Sequence, residues 1–399
     1  MRDLTPSTSF RMQYIEQVLK NIADQNGYMP IQFPILESAV LFQKSIGIET
    51  DIIGSEMYAF EDKSDTLVAL RPEGTAGCLR SCLANGLIQR DKQKLYYIGP
   101  MFRRERPQMG RYRQFQHFGI EVYGYPSGSI DAELIIMTHA MWQALNLNNV
   151  NLHINYLGSP NTRTTYREQL KAYWQKHIEA LSEAEQKRAI ENPLRLLDSK
   201  NPDLQDLIKS APKITTALNE EEQDTFACIQ KILSQANIPF TVTHTLVRGL
   251  DYYSDFIFEW ISDDLGAQST ICGGGRYDPL VSSMGADVPA VGFAIGIDRV
   301  EAIMAELASN TPKIYFASSS SELINQHLAT LMALTTQTPI YIHHQSAKFK
   351  NQLNNSKNGY SHFAFMDDDQ QIKVIRHATD QADYMTIDEF SQWCQSLSE

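Results

Sequence analysis

Two aromatic-rich, strand-like segments joined by a charged loop constrain the fold of this chain most strongly. Between Lys94 and Gly124 the sequence reads KLYYIGPMFRRERPQMGRYRQFQHFGIEVYG, and its central loop holds Pro107 and Gly110. Strand patterns on both sides of a loop with proline and glycine are typical of a β-hairpin. We therefore predict a long hairpin here, which is an antiparallel pair of strands.

The same hairpin carries the densest arginine cluster in the chain. Five arginines fall within eleven positions and are opposed by the single acid Glu105: Arg103, Arg104, Arg106, Arg111 and Arg113. A charge run of this kind is usually a solvated surface. Because these side chains flank a hairpin turn between aromatic strands, a site for a triphosphate or a nucleic acid is the favoured interpretation.

The second strand of the hairpin is expected to present polar groups on one face. Alternation places Phe115, His117, Gly119, Glu121 and Tyr123 on the same side, so a carboxylate and an imidazole point the same way. Glu121 either bridges to a neighbouring arginine, which is the commoner role of a strand glutamate, or accepts a hydrogen bond from a cationic or N–H-bearing ligand.

A second strand pattern, LVRGLDYYSDFIFEW, runs from Leu246 to Trp260 and places Arg248 and Asp251 beside two tyrosines. Alternation after Asp251 predicts Tyr252 and Tyr253 on opposite faces. The segment is either an ordinary strand with a structural ion pair or part of a pocket for a small charged substrate. One hairpin later, ICGGGRYDPL has three glycines that allow the backbone to lie close to a ligand.

The remaining blocks indicate several domains. A helix is predicted from Ser9 to Asn26. The next segment, MPIQFPILESAVLFQKSIG, is predicted to be extended as far as Pro34 and then helical. It either forms a dimer surface or packs into the core. Residues 159–240 are charged and helical, which indicates an inserted domain. VGFAIGIDRVEAIMAEL predicts a short strand that turns into a helix with Arg299 in its first turn. From Lys313 onward strands and helices alternate, which predicts a small α/β domain with a mainly parallel sheet.

Composition limits the class of protein. With 399 residues and 43% hydrophobic residues, the chain is long enough for two or three domains. Five scattered cysteines fit reduced thiols, and no stretch resembles a signal peptide or a membrane span, so we expect a cytoplasmic protein. Cys78 and Cys82 lie one helical turn apart without further ligands at zinc spacing. We therefore identify no metal site made of protein side chains.

The net charge of −12 argues against nonspecific binding to nucleic acid. Any contact with RNA is expected to use a local basic patch. The stretch from His343 to Met366 has no acid and contains Lys348, Lys350 and Lys357, so we predict the patch there. No P-loop or GxGxxG motif is present, so a nucleotide is expected to be held by arginines.

These motifs together resemble bacterial histidyl-tRNA synthetases, which are class II aminoacyl-tRNA synthetases. Three segments resemble the three class II motifs: FPILESAVLFQKSIG, MFRRERPQMGRYRQF and VGFAIGIDRV. Two others resemble peptides peculiar to the histidine enzymes: LVRGLDYY and GGGRYD. The resemblance implies an α/β (α+β) catalytic domain at 1–310, built on an antiparallel sheet flanked by helices. A helical insertion at 159–240 interrupts it, and a C-terminal α/β anticodon-binding domain follows at 311–399.

The resemblance also implies roles for individual residues. Arg103, Arg111 and Arg299 match the arginines that bind the ATP phosphates, and Glu105 matches an acid near the adenine. Arg248 matches the catalytic arginine that reaches the α-phosphate and the substrate carboxylate. The residues that match histidine-binding positions are Glu73 and Thr75 for the α-amino group, Glu121 and Tyr253 for the imidazole, and Tyr252 and His117. Contacts with tRNA are expected from Gln108 and from Lys348, Lys350 and Lys357.

His117 stands where the family usually has a glutamine. A neutral imidazole accepts the same hydrogen bond, whereas a protonated one repels the ammonium group of the ligand. We therefore expect His117 to make histidine binding weaker at acidic pH.

The function implied by the resemblance is that of a ligase. It would activate L-histidine with ATP and Mg²⁺ and transfer it to the 3′ end of tRNA(His). The enzyme would act as a homodimer and would not associate with a membrane. One alternative is a non-catalytic, histidine-binding regulatory paralogue of ATP phosphoribosyltransferase. Another is an RNA-binding protein without catalysis.

Overall fold

The computed structural model describes residues 2–46, 52–106, 108–197, 199, 201–247, 252–266, 269–305, 313–336, 338–357 and 359–397. The chain divides into two compact units, residues 1–305 and residues 306–399. No helix in the described part of the chain is long and apolar enough to cross a membrane.

The secondary structure alternates between short strands and helices. The strands in chain order are β1 Met29–Pro30, β2 Leu36–Ser38, β3 Ala59–Glu61, β4 Leu67–Leu70, β5 Gln93–Phe102, β6 Gln114–Tyr123, β7 Asn151–Tyr156, β8 Thr241–Val242, β9 Ser254–Ile261, β10 Thr270–Arg276, β11 Ala290–Gly296, β12 Ile314–Ser318, β13 Ile340–Ser346, β14 His362–Met366, β15 Ile372–Arg376 and β16 Ala382–Met385.

The α-helices in chain order are α1 Pro6–Gln25, α2 Ala39–Ile46, α3 Thr75–Ala84, α4 Ser129–Ala144, α5 Pro160–Lys176, α6 Glu183–Glu191, α7 Gln205–Ser210, α8 Glu220–Gln235, α9 Asp278–Ser283, α10 Ile297–Ile303, α11 Ser321–Leu334, α12 Phe349–Ser356 and α13 Ile387–Ser396. The first unit also contains a π-helical turn at Ile52–Glu56 and several 3₁₀ turns.

The first unit is organised around one large sheet with the order β1-β5-β6-β11-β10-β9-β7-β8 within the described residues. The pairs β1–β5 and β7–β8 are parallel, and the pairs between them are antiparallel. A second, small antiparallel sheet has the order β2-β4-β3, and its strands come between β1 and β5 in the sequence. The expected antiparallel sheet flanked by helices is therefore present.

Helix α1 shows how the sequence pattern produces local structure. Its buried residues Met12, Ile15, Leu19 and Ala23 recur at helical spacing. The helix begins at Pro6, three residues earlier than predicted, because proline is well tolerated at the first helical position. It ends at Gln25, and Gly27 follows with a φ of 77°.

The predicted hairpin is confirmed by β5 and β6. Ten consecutive residue pairs connect the two strands, from Gln93 opposite Tyr123 to Phe102 opposite Gln114. Its loop carries Gly110 with a φ of 68°, and Gln108 and Arg111 form an isolated bridge there. Pro107 lies outside the described residues.

The prediction for the segment before Trp260 is wrong in part. The strand begins at Ser254, and Asp255 has a φ of 48° where the register with β10 shifts. Strand alternation therefore does not extend back to Tyr252 and Tyr253, so their predicted placement on opposite faces fails. Arg248 and Asp251 lie outside the described residues.

Residues 159–240 are helical, as expected, and contain α5 to α8 with several 3₁₀ turns. Three of these α-helices begin with polar caps: Ser159 accepts from Thr162 N, Ser182 forms a capping box with Glu185, and Asn219 forms one with Glu222. Fully buried Leu170 and Trp174 pack the interior of this region.

The second unit contains a sheet with the order β13-β12-β14-β15-β16. The pairs β12–β13 and β12–β14 are parallel, whereas β14–β15 and β15–β16 are antiparallel. The expectation of a mainly parallel sheet is therefore wrong, because a turn at Asp367–Gln370 returns the chain directly into a hairpin. The core of this unit includes Phe316, Leu331 and Phe390.

Candidate active site

A cavity opens in the first unit between the hairpin β5–β6, strands β10 and β11, and the first turns of α3 and α10. It encloses about 910 Å³ of space, open solvent included. Nine of the residues predicted from the sequence line this cavity: Glu73, Thr75, Arg103, Glu105, Arg111, His117, Tyr252, Tyr253 and Arg299.

Glu121 lies behind one end of the cavity and is only 1% exposed. The hydroxyl of Tyr277 donates to its Oε2 at 2.5 Å, and the hydroxyl of Tyr97 donates to its Oε1 at 3.2 Å. Both tyrosines line the cavity. Of the two roles considered for Glu121, bridging to an arginine is therefore not the one observed, since its partners are the hydroxyls of Tyr277, Tyr97 and Thr75.

The ring of Tyr97 fits into a slot that only glycine permits. A Cβ at Gly119, which faces Tyr97 across the hairpin, would lie 2.1 Å from the Tyr97 ring, and a Cβ at Gly74 would lie 2.3 Å from it. At Gly292, on the neighbouring strand β11, a Cβ would lie 2.3 Å from Glu121 Oε2. Such distances cannot be accommodated without a shift, so these glycines allow the aromatic and acidic side chains to occupy the site.

Glu73 and Thr75 lie at the start of α3. The carboxylate of Glu73 accepts hydrogen bonds from the backbone N–H groups of Thr75 at 2.6 Å and Ala76 at 3.0 Å. A carboxylate is stabilised there because the first N–H groups of a helix lack intrahelical partners. Burial nevertheless raises the pKa of Glu73.

Burial changes the protonation of two groups at this end of the cavity. It raises the pKa of Glu121 to about 8, although Tyr277 and Tyr97 donate hydrogen bonds to the carboxyl. Burial also lowers the pKa of His117 well below its usual value, and the cations Arg103, Arg299 and Arg71 lower it further. At neutral pH the ligand-free site therefore holds a protonated Glu121 and a neutral His117.

The state of His117 corrects an expectation from the sequence. A depressed pKa keeps this imidazole neutral, so protonation of His117 is not a source of weaker ligand binding at mildly acidic pH. The physical reason is burial of the ring and, after it, the surrounding arginines, neither of which the sequence position alone reveals. The ring packs edge-on against Phe115 at 4.9 Å, and its buried Nδ1 has no hydrogen-bond partner among the described residues.

Tyr252 and Tyr253 both line the cavity, with their ring centroids 4.8 Å apart. Arg163, from helix α5, donates to the backbone carbonyl of Tyr253 at 2.8 Å. The helical region between residues 159 and 240 thus contacts the backbone of a residue in the cavity wall.

The other end of the cavity carries three arginines, two of which are held by backbone carbonyls. Arg103 Nε donates to Pro72 O at 2.8 Å. Arg299 Nε donates to Gly110 O at 3.3 Å, and its Nη1 donates to Thr270 O. These contacts orient the two guanidinium groups at the wall of the cavity.

The third arginine, Arg111, pairs with Glu105, which is 8% exposed. Arg103 Nη1 lies 4.0 Å from the other carboxylate oxygen of Glu105. A single acid therefore lies between two cations. The arginine cluster of the hairpin divides accordingly: Arg103 and Arg111 face the cavity, whereas Arg104, Arg106 and Arg113 are exposed.

Gln108 is not among the residues that line the cavity. Gln108 is exposed in the hairpin loop. Lys348 and Lys357 cap the two ends of α12 in the second unit, and Lys350 lies within that helix. Arg248 lies outside the described residues.

Among the described residues that line the cavity, sequence reasoning missed five aromatic ones: Tyr97, Tyr112, Phe115, Tyr277 and Phe293. The signal for Tyr97 was the hairpin register, which places this large ring opposite Gly119. Tyr277 stands in the GGGRYD segment but was not singled out. Phe115 was placed on the correct face of β6, and the guanidinium of Arg103 lies 5.4 Å from its ring centroid.

Among the residues that the structure describes, no group of three or more His, Cys, Asp or Glu side chains could hold a metal ion. The acids at the arginine end are engaged by cations or backbone N–H groups. Asp298 Oδ2 accepts from Gln116 N at 2.7 Å, and Glu105 pairs with Arg111.

Comparison with known proteins connects this geometry to one family. A family model described as histidyl-tRNA synthetase matches residues 1–300. The chain is similar to the apo histidyl-tRNA synthetase of S. aureus, with 28% identity, a TM-score of 0.79 and coverage of 99% of this chain and 98% of that one.

Two further structures share the fold at lower identity. A histidyl-tRNA synthetase from Nostoc sp. PCC 7120 has 16% identity and a TM-score of 0.73, and the match covers 99% of this chain and 98% of that one. A Bacillus halodurans protein titled an ATP phosphoribosyltransferase regulatory subunit/histidyl-tRNA synthetase has 21% identity and a TM-score of 0.64, covering 92% and 95%.

Proposed function

Because this chain belongs to the histidyl-tRNA synthetase family, we propose that it activates L-histidine with ATP and then transfers the histidyl group to the 3′ end of tRNA(His). The observation that carries the proposal is the two-ended cavity. One end has a buried acid between phenols, and the other has three arginines, of which Arg103 and Arg299 are oriented by backbone carbonyls and Arg111 by Glu105.

The acidic end suits histidine. The imidazole would bind between Glu121 and Tyr253, and the α-ammonium group would bind Glu73, Thr75 and the neutral His117. An imidazole offers one donor and one acceptor, so a carboxyl and a phenol together satisfy both. A ligand lacking either group would leave a buried polar atom unpaired, at a cost of about 1–3 kcal/mol.

The arginine end suits the triphosphate of ATP. Arg103, Arg111 and Arg299 would bind phosphate oxygens, because guanidinium groups match phosphate geometry. The Phe115 ring, which lines the cavity beneath the Arg103 guanidinium, would stack against the adenine. Glu105 would lie near the adenine amino group.

The proposed chemistry needs no protein nucleophile. A carboxylate oxygen of histidine attacks the α-phosphorus, the bond to the β-phosphate breaks, and pyrophosphate leaves. A hydroxyl of the terminal tRNA ribose then attacks the histidyl carbonyl carbon, and AMP leaves. Catalysis would rest on alignment of the two substrates and on arginine charge at the transferring phosphorus, with Arg248 reaching both the α-phosphate and the carboxylate.

Mg²⁺ would arrive with ATP. This ion usually keeps several waters and takes one or two carboxylates in addition to substrate phosphates. The acids at the arginine end already have partners, so the donor set fits a metal carried by the phosphates better than one held by the protein. When bound, Mg²⁺ would offset phosphate charge.

The partners follow from the family and from two surfaces. Large apolar side chains around the sheet β2-β4-β3 are 40–48% exposed, and we assign the homodimer contact to them: Ile35, Leu36, Val40, Phe60 and Leu67. Lys348, Lys350 and Lys357 on α12, together with Gln108, would contact tRNA(His).

Light scattering of the purified chain tests the dimer, and a Phe60→Asp variant is expected to be monomeric.

Histidine-dependent exchange of labelled pyrophosphate into ATP tests the proposed activity. We expect exchange with histidine and none with other amino acids. An Arg248→Ala variant should keep its thermal unfolding temperature and lose about 100-fold in exchange rate, since one positioned charge contributes on the order of 3 kcal/mol. Normal exchange by this variant would remove Arg248 from the mechanism.

The alternative function is histidine sensing as a regulatory subunit of ATP phosphoribosyltransferase. Its support is the fold-level similarity to the Bacillus halodurans protein. The three arginines at the cavity favour the synthetase. Histidine binding without any pyrophosphate exchange, in the presence of ATP and Mg²⁺, would decide for the regulatory subunit.

A further inference from the structure

Arg2 lies outside the cavity but contacts two residues of its wall. Its Nη1 donates to the hydroxyl of Tyr112 at 2.9 Å, and its guanidinium carbon lies 4.3 Å from the centroid of the Tyr112 ring. Its Nη2 lies 3.5 Å from Asp298 Oδ1 and 3.2 Å from Glu301 Oε2. Both Tyr112 and Asp298 line the cavity.

Each of these two residues is the sequence neighbour of a cavity arginine. Tyr112 follows Arg111 on the hairpin, and Asp298 precedes Arg299 in the first turn of α10. The two arginines come from elements nearly two hundred residues apart in sequence. One guanidinium group, that of Arg2, therefore connects the backbone segments that carry both of them.

Two other contacts join the same segments. Asp298 Oδ2 accepts from the backbone N–H of Gln116 at 2.7 Å, and Arg299 donates to the carbonyl of Gly110. Burial raises the pKa of Asp298, and the charge of Arg2 opposes this effect, which favours the ionised carboxylate. Without Arg2, the acid would lose its cation and Tyr112 would lose both its hydrogen-bond donor and the cation over its ring.

We propose that Arg2 is a positioning residue for the nucleotide, which holds Arg111 and Arg299 at the separation that binding of the triphosphate requires. The inference rests on the proposed function for the identity of the ligand. Arg2 itself touches no substrate. Its effect is confined to the arginine end, so it should alter the use of ATP and leave histidine binding unchanged.

Arg11 offers a matched control. It also pairs with Glu301, at 3.4 Å, and donates to Met304 O at 3.0 Å at the end of α10. None of its observed contacts involves Tyr112 or Asp298. Loss of Arg11 is therefore expected to lower the thermal stability of this region without changing the spacing of the cavity arginines.

The experiment compares wild type, Arg2→Ala, Arg2→Lys and Arg11→Ala, all without an N-terminal tag. Calorimetry measures the Kd for ATP with Mg²⁺ and the Kd for histidine, and pyrophosphate exchange supplies KM and kcat. For Arg2→Ala we expect about a tenfold rise in the Kd and KM for ATP, with the Kd for histidine unchanged. Arg2→Lys should recover part of the loss, because it keeps the charge near Asp298 but not the forked donors.

Several outcomes would overturn the inference. One is an unchanged Kd for ATP in a folded Arg2→Ala protein, and another is an equal rise for Arg11→Ala. A third is a parallel loss of ATP and histidine binding, which indicates a general structural role. If wild type binds ATP but does not exchange pyrophosphate, the proposed activity fails while the calorimetric test of Arg2 still stands. A wild-type protein that binds no ATP would overturn both.

Discussion

The two ends of the cavity are built on the same strands but by different physical means. At the acidic end, Glu121 is buried and close packing fixes its partners, with Tyr97 filling the space opposite Gly119. At the arginine end, the side chains are partly exposed, and their contacts span the hairpin, β10 and α10. Close packing fixes the side-chain positions at the acidic end, whereas long-range polar contacts fix them at the arginine end.

The difference explains why the two ends should respond differently to mutation. A close-packed site has no room to relax, so one added carbon is expected to displace the groups that read the ligand. A site made of long cationic side chains can adjust, and its charge acts over several ångströms. Three tests, in order of decreasing expected effect, sharpen this comparison.

Gly119→Ala should have the largest effect. The new Cβ would overlap the Tyr97 ring, and displacement of that ring would remove a hydrogen bond to Glu121. A buried polar group left without its hydrogen bond costs about 1–3 kcal/mol, so we expect histidine affinity to fall by about 10- to 100-fold. Calorimetry should show an unchanged affinity for ATP, and equal losses for both ligands would refute the separation of the two ends.

A change of pH should have the next largest effect on the affinity for histidine. Glu121, with a pKa of about 8, carries a proton in the ligand-free protein at neutral pH, and free imidazole has a pKa of about 6.5. A bound pair that shares one proton avoids an isolated buried charge. Affinity should therefore be highest between about pH 6.5 and 8 and fall by up to about tenfold per pH unit outside that range.

Two variants identify the group that causes this profile. Glu121→Gln should abolish the decline above pH 8, and His117→Gln should keep the wild-type profile because His117 is already neutral.

Stability gives an independent check. Since folding raises the pKa of Glu121, the ligand-free protein should lose stability as pH rises from about 4.5 to about 8, by up to about 1.4 kcal/mol per unit relative to Glu121→Gln. Affinity that keeps rising above pH 8 would mean that a bare carboxylate binds a neutral imidazole.

Gly296→Ala should have the smallest effect and serves as the matched control for Gly119→Ala. Its new Cβ would meet the side chain of Arg299, at 3.3 Å from Cδ, and that side chain is flexible. We expect about a two- to threefold weaker binding of ATP and no change for histidine, an effect of less than about 1 kcal/mol. A loss as large as that of Gly119→Ala would show that the arginine end is as rigidly packed as the acidic end.

Much of this site was predictable because it depends on local pattern. The hairpin followed from its loop and its strands, and the face of β6 with His117 and Glu121 followed from alternation. Alternation failed at Tyr252 and Tyr253, because the strand begins after them and its register shifts at Asp255. The parallel character of the second sheet was overestimated for a similar reason, since a tight turn after β14 decides the direction of β15.

The sequence by itself determined the order of helices and strands, the hairpin that presents the arginines, and the residue types available for binding. Only the tertiary structure decided the protonation of Glu121 and His117, because burial and nearby charges come from residues far apart along the chain. It also decided the place of Arg2, whose partners Tyr112 and Asp298 are distant in sequence. Periodicity is a property of neighbouring residues, whereas a pKa and a long-range contact depend on how the whole chain packs.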